Sequence, residues 1–138
     1  MKLKKVFLST KMSKSAGHWV SLILRFTFGT IMIPHGWSKI QKFDQISPEF
    51  ISFMGLSPSI SLSLVIFAEL ACSILLIIGL FTRLATIPLI ITAFVIMSSV
   101  KNFDVIGNND IVLAMMGAFI AILILGPGKH SLDHMITM

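Results

Sequence analysis

The chain has 138 residues, of which 55% are hydrophobic and 12% charged, with a formal net charge of +5 and a mean hydropathy of +0.92. Soluble domains carry about 25% charged residues, so this composition excludes an ordinary water-soluble domain and points to a polytopic membrane protein of one domain, residues 1–138. The positive charge does not indicate nucleic acid, because Lys2, Lys4, Lys5, Lys11 and Lys14 all precede the first apolar run, which is the ordinary basic flank of a membrane span.

Four apolar runs follow, at about 18–36, 60–80, 84–100 and 111–126, each near the ~20 residues needed to cross a bilayer. The amino-terminal Val6-Phe-Leu8 is too short for the apolar core of a signal peptide, so the first run reads as an uncleaved helix. Trp19 and Trp37 bracket it, eighteen residues or about 27 Å apart along a helix, close to the spacing of the two interfacial aromatic belts. Pro34 removes an amide within this run and predicts a kink beside His35. In the loop from Lys39 to Ser59, Ser47-Pro-Glu49 reads as a helix start. Ile46, Phe50, Ile51, Phe53 and Met54 give it an apolar side, so a short interfacial helix ending at Gly55 is expected. Only Phe81-Thr-Arg83 separates the second and third runs, which predicts a tight antiparallel hairpin.

The third loop, Lys101 to Asn109, is polar, and Asp110 suits the start of the fourth run. Gly126-Pro-Gly128 is a firm helix stop, after which Ser131 can cap a short terminal helix with Asp133 in its first turn. Lysines and arginines number seven on the side of the two termini and three on the other. That count places both termini in the cytoplasm; the membrane expected is the bacterial plasma (inner) membrane. The expected fold is an all-α, four-transmembrane-helix bundle.

Arg25 and Glu69 stand out because each lies inside a spanning run, where a charge costs roughly 2.5–3.5 kcal/mol on insertion scales. With Arg25 at zero on a helical wheel of the first run, Gly29, Met32, Gly36, Lys39 and His35 share an arc of about 120° with it. Small residues on that arc admit a neighbouring backbone. Counted from the inner side, Arg25 lies about 10 Å deep and Glu69 about 16 Å deep, which predicts a charge-assisted Arg25–Glu69 ion pair.

Two readings of that pair remain open. It is a staple between the first two helices, or Glu69 and His35 handle protons in a site where Arg25 and Lys39 bind a ligand such as a quinone head group. Lys39 by itself reads as a residue that snorkels to the outer head groups. His130 and His134, four residues apart, lack a third ligand and read as part of a solvated tail, so no metal site is expected. Thr92 and Ser99 read as interhelical hydrogen-bond formers. Cys72, the only cysteine, reads as packing and excludes an internal disulfide.

Several stretches together resemble the DoxX family of small four-helix membrane proteins over nearly the whole chain. They are Leu24-Arg25-Phe26, Pro34-His35-Gly36 with Lys39, and Phe53-Met-Gly-Leu-Ser-Pro58. Glu69, Gly79-Leu-Phe-Thr-Arg-Leu84 and Gly126-Pro-Gly-Lys-His-Ser-Leu-Asp133 complete the pattern. In that pattern Arg25, His35, Lys39 and Glu69 occupy the characteristic polar positions. The resemblance implies a quinone-linked oxidoreductase or an accessory subunit of a membrane redox complex. The sequence contains no haem-ligand pair, nucleotide fingerprint or iron–sulfur cysteines. Redox work would therefore use a quinone or a redox partner subunit, with no cofactor intrinsic to the chain. A non-enzymatic assembly subunit and a small-molecule transporter are the alternatives; a transporter of this size would have to be a homo-oligomer. Membrane lipid is the expected surrounding in every case.

Overall fold

A computed structural model describes residues 9–99 and 110–138; for Ser99 it describes the backbone only. Lys2, Lys4, Lys5, Val6-Phe-Leu8, the Ser99 side chain and the loop from Lys101 to Asn109 therefore lie outside the description. All regular structure among the described residues is helical.

The first helix, α1, runs from Lys14 to Gln41, with the Ser13 hydroxyl accepting the Ala16 amide as its amino-terminal cap. Its buried residues are Ser21, Arg25, Gly29, Met32 and Gly36, spaced by four, four, three and four. This is the small-and-polar stripe visible in the sequence, and the opposite face carries exposed Ile23, Phe26 and Ile31. Pro34 sits inside the helix without ending it.

The outer loop differs from expectation. A helical turn, α2, occupies Phe43–Ile46, and Ser47–Glu49 forms a single 3-10 turn. The chain then extends at Phe50 (φ −71°, ψ 154°) instead of continuing as a helix to Gly55. The Ser61 hydroxyl accepts the Phe53 amide at 3.0 Å, so this stretch finds its polar partner on the next helix and not within a turn of its own. Met54 and Gly55, both at positive φ, return the chain to Ser57, whose hydroxyl caps α3, Pro58–Phe67.

The second long helical stretch is α3, a π-helical turn at Ala68–Cys72, and α4, Ser73–Ile78. The third is α5, Thr82–Ser99, and the fourth α6, Asp110–Leu125. A short α7, Leu132–Thr137, follows the Gly126 stop; Ser131 caps it by accepting the His134 amide. Lys14–Gln41 and Pro58–Ile78 are long and apolar enough to cross a membrane, and the stretches from Thr82 and Asp110 are shorter apolar helices.

The first stretch packs on the second and fourth, the second on the third, and the third on the fourth. Met32, Leu76, Leu89, Phe119 and Ile122 meet in the middle. Close approach depends on the α1 glycines: a Cβ at Gly29 would lie 3.2 Å from the Ser73 carbonyl oxygen, and one at Gly36 3.1 Å from the Glu69 Cβ.

Candidate functional site

The buried charges fall into two separate centres. The inner one is built on Arg25, which is fully buried. Its guanidinium donates to the Leu76 carbonyl at 3.3 Å and to the His130 carbonyl at 2.6 Å. The Leu76 acceptor lies at the carboxyl end of α4, where unpaired carbonyls and the helix dipole favour a cation. Gly79 ends that helix at φ +77°, and a Cβ there would collide with the Arg25 guanidinium and with Ser131.

The carboxyl-terminal segment closes over this point. The Asp133 carboxylate accepts the amides of Phe81 at 2.7 Å and Thr82 at 2.8 Å, which caps α5 from a residue some fifty positions away. In return the Asp133 amide donates to the Gly79 carbonyl at 2.9 Å. Burial pushes the Asp133 carboxyl up, but the Thr82 and Phe81 amides and the charge of Arg25 outweigh it and hold it below the usual carboxylate range. Ser21 donates to the Gly126 carbonyl at 2.7 Å, and the Lys129 amide donates to His18 Nδ1 at 3.2 Å. The His130 ring lies 4.6 Å from that of Trp19. The tail is therefore stitched to the bundle by a few bonds, while His130 and most of α7 stay exposed, as expected of a solvated segment.

The outer centre is built on Glu69, which is 1% exposed and lies in the π turn. Both its oxygens accept from Lys39 Nζ, at 2.8 and 2.7 Å. Among the described residues the partner of Glu69 is thus Lys39, and the expected Arg25–Glu69 pair is absent. The depth estimate failed because it let both helices end on one plane. Gly79 lies level with Arg25, while Gly36 lies level with Glu69. Eleven residues of α1, about 16 Å, separate the two charges. Below Gly79 the tail fills the step, with Gly128 against His18. Lys39 turns inward to the carboxylate and does not snorkel; its side chain is 22% exposed.

Lys39, Glu69 and His35 line a partly open cavity of about 170 Å³ to which all four long helical stretches contribute, with Ile111, 62% exposed, at its edge. Met32, Ile96, Met115 and Phe119 supply apolar walls, and Thr92 adds a hydroxyl. Of the four polar residues singled out in the sequence, the structure brings together His35, Lys39 and Glu69 and leaves Arg25 apart. Sequence reasoning missed Asp133 as a remote helix cap, Ser21 as a tether and Thr92 as a cavity residue. The Thr92 hydroxyl makes no hydrogen bond among the described residues, contrary to the interhelical bond expected of it. No group of three or more metal-ligating side chains occurs among the described residues.

The sequence profile of the DoxX family matches residues 20–102, more than half of the chain. The chain belongs to the DoxX family. The matched stretch contains Arg25, His35, Lys39, Glu69 and Thr92, so it includes the polar residues of the outer cavity. No curated protein and no solved structure shows significant similarity to the chain. Family membership and the apolar helices together make it a DoxX membrane protein.

Proposed function

We propose that this DoxX protein is a four-transmembrane-helix bundle of the bacterial inner membrane, both termini cytoplasmic, that binds a quinone head group as a component of a membrane redox complex. The observation that carries this reading is the cavity holding Glu69, Lys39 and His35. Its volume is close to the ~150 Å³ apolar cavity that elsewhere accepts a benzene ring. The donor set suits a ring bearing two carbonyl oxygens. Two bonds to Glu69 leave the Lys39 ammonium one further donor, and His35 offers a second from the same wall. Met32, Met115 and Phe119 suit the ring faces.

A bound quinone supplies the redox chemistry, taking up electrons from a partner subunit together with protons. The chain's own residues orient the ring and manage protons. Lys39 stabilises negative charge building on the carbonyl oxygen beside it. Glu69, bonded to Lys39 through both oxygens, is the proton acceptor and donor on the buried side, and His35 connects the cavity to the exposed face of α1. Arg25 has no part in this site; its donors serve backbone carbonyls about 16 Å away along α1.

The test is titration of the purified protein with a tail-less dimethoxy-methyl-benzoquinone, read by calorimetry. The reading expects saturable one-site binding that Lys39→Met and His35→Ala each weaken about tenfold, the loss of one charge-assisted hydrogen bond. Absence of saturable binding by the wild-type protein overturns it. The non-enzymatic assembly role draws support from the inner centre, where every bond of Arg25 is structural. It expects every loss of function to track loss of abundance.

A further inference from the structure

Next to the polar cavity lies a second space of about 250 Å³, a groove between α3 and α5 under the Phe50–Phe53 stretch of the outer loop. Its walls are almost wholly apolar, and its outer lip is formed by Leu64, Phe67 and Ile91, which are 48%, 55% and 46% exposed. In a membrane protein such a lip opens to the lipid phase. Thr92 lines both the groove and the polar cavity. Ala68 lines the groove while its neighbour Glu69 lines the cavity, the two facing opposite ways from the π turn. Phe50 and Phe53 roof the groove, and the Phe53 amide is anchored to the Ser61 hydroxyl inside it.

We infer that the two spaces form one bipartite site, with Thr92 at the junction: a ring head group sits at Glu69–Lys39, and the apolar tail of the same molecule lies in the groove and leaves past Ile91 into the bilayer. The inference rests on the head-group reading above and extends it to the ligand class, a long-tailed amphiphile and not a small water-soluble quinone. Two observations select that occupant over an unrelated acyl chain. Thr92 lines both the groove and the polar cavity, and its hydroxyl has no hydrogen-bond partner among the described residues. The roof is fixed by a side-chain hydrogen bond where a general lipid-facing surface would need none.

The experiment compares two probes on the full chain in nanodiscs: the tail-less benzoquinone and its decyl derivative. Ile91→Trp and, independently, Leu64→Trp fill the groove from its exposed lip, where a larger side chain has room, and circular dichroism verifies the fold of both. The expected result is a loss of about tenfold in decyl-quinone affinity, equivalent to withdrawing roughly two methylenes from apolar contact, with the tail-less affinity unchanged. Ser61→Ala, which releases the Phe53 amide, is expected to act in the same direction and more weakly. If wild type binds both probes and neither tryptophan alters the ratio of their affinities, the groove holds only bulk lipid and the bipartite site is overturned. If wild type binds neither probe, the head-group reading itself fails and the tail proposal falls with it.

Discussion

The two buried charge centres use the same residue types to opposite ends. At the inner end, Arg25 is fully buried and spends its donors on two backbone carbonyls of distant segments. It is packed against Gly79, Ser131 and the end of α4. At the outer end, Glu69 and Lys39 satisfy each other beside an empty space of about 170 Å³ that four helical stretches share. A cation that binds carbonyls joins chain segments. A pair that leaves a donor facing a cavity can bind something else. The contrast shows that a buried charge in an apolar helix says little about function until its partners are known.

The sharpest way to break the comparison is to remove the inner cation. Arg25→Met leaves the Leu76 and His130 carbonyls without their donor. A loss on the order of 3 kcal/mol is expected for one buried and one part-buried acceptor left unpaired, read as a drop in thermal unfolding temperature and in abundance. Unchanged stability would show that the inner centre is not structural.

Gly79→Ala comes next. It forces a side chain into the left-handed region at φ +77° and into the space of Arg25 and Ser131. About 2 kcal/mol of destabilisation is expected, and only the share due to the Arg25 clash should be relieved in the Arg25→Met background, because the strain at φ +77° and the contact with Ser131 remain. Full additivity of the two changes would argue against their contact.

A smaller effect belongs to Asp133. Its folded-state carboxyl titrates below the ordinary carboxylate value, so its contribution to tail docking is complete above about pH 4. That contribution is lost as the pH falls through the depressed value. In a Trp37→Phe background, the remaining Trp19, stacked near His130, reports tail release by fluorescence. Asp133→Asn should remove this acid-dependent step at a stability cost of about 1 kcal/mol. A step of equal size in Asp133→Asn would assign it to another group.

Much of this architecture is legible in the sequence. The helices start and stop within a few residues of the apolar runs, because capping hydroxyls at Ser57 and Ser131 and glycines at 79 and 126 mark their ends locally. The buried face of α1 is legible too, since Ser21, Arg25, Gly29, Met32 and Gly36 recur at helical spacing. Pairing across helices was not legible, because it depends on how far one helix is shifted along another. The sequence shows no sign that the second helical stretch stops level with Arg25 and that the tail fills the space beneath it. The interfacial helix expected after Ser47 failed for a related reason. Local capping signals favour it, but a remote hydroxyl, Ser61, captures the Phe53 amide and holds the chain extended. Lys39 was within reach of a better reading, because it shares the arc of Gly36 and carries the charge opposite to Glu69.

The central claim is that the outer pair is a binding site and the inner charge a structural fastening, and Glu69→Gln tests it most directly. The amide keeps the shape of the carboxylate and an acceptor for Lys39, which can also turn toward water. A stability loss on the order of 1–2 kcal/mol is expected, below that of Arg25→Met, because Lys39, 22% exposed, can turn to water. Tail-less benzoquinone affinity, measured per folded molecule in parallel with thermal unfolding, should fall about tenfold while the unfolding temperature falls less than in Arg25→Met. Unchanged affinity, or a loss of binding matched by a loss of folded protein like that expected of Arg25→Met, would contradict the division into a site and a fastening.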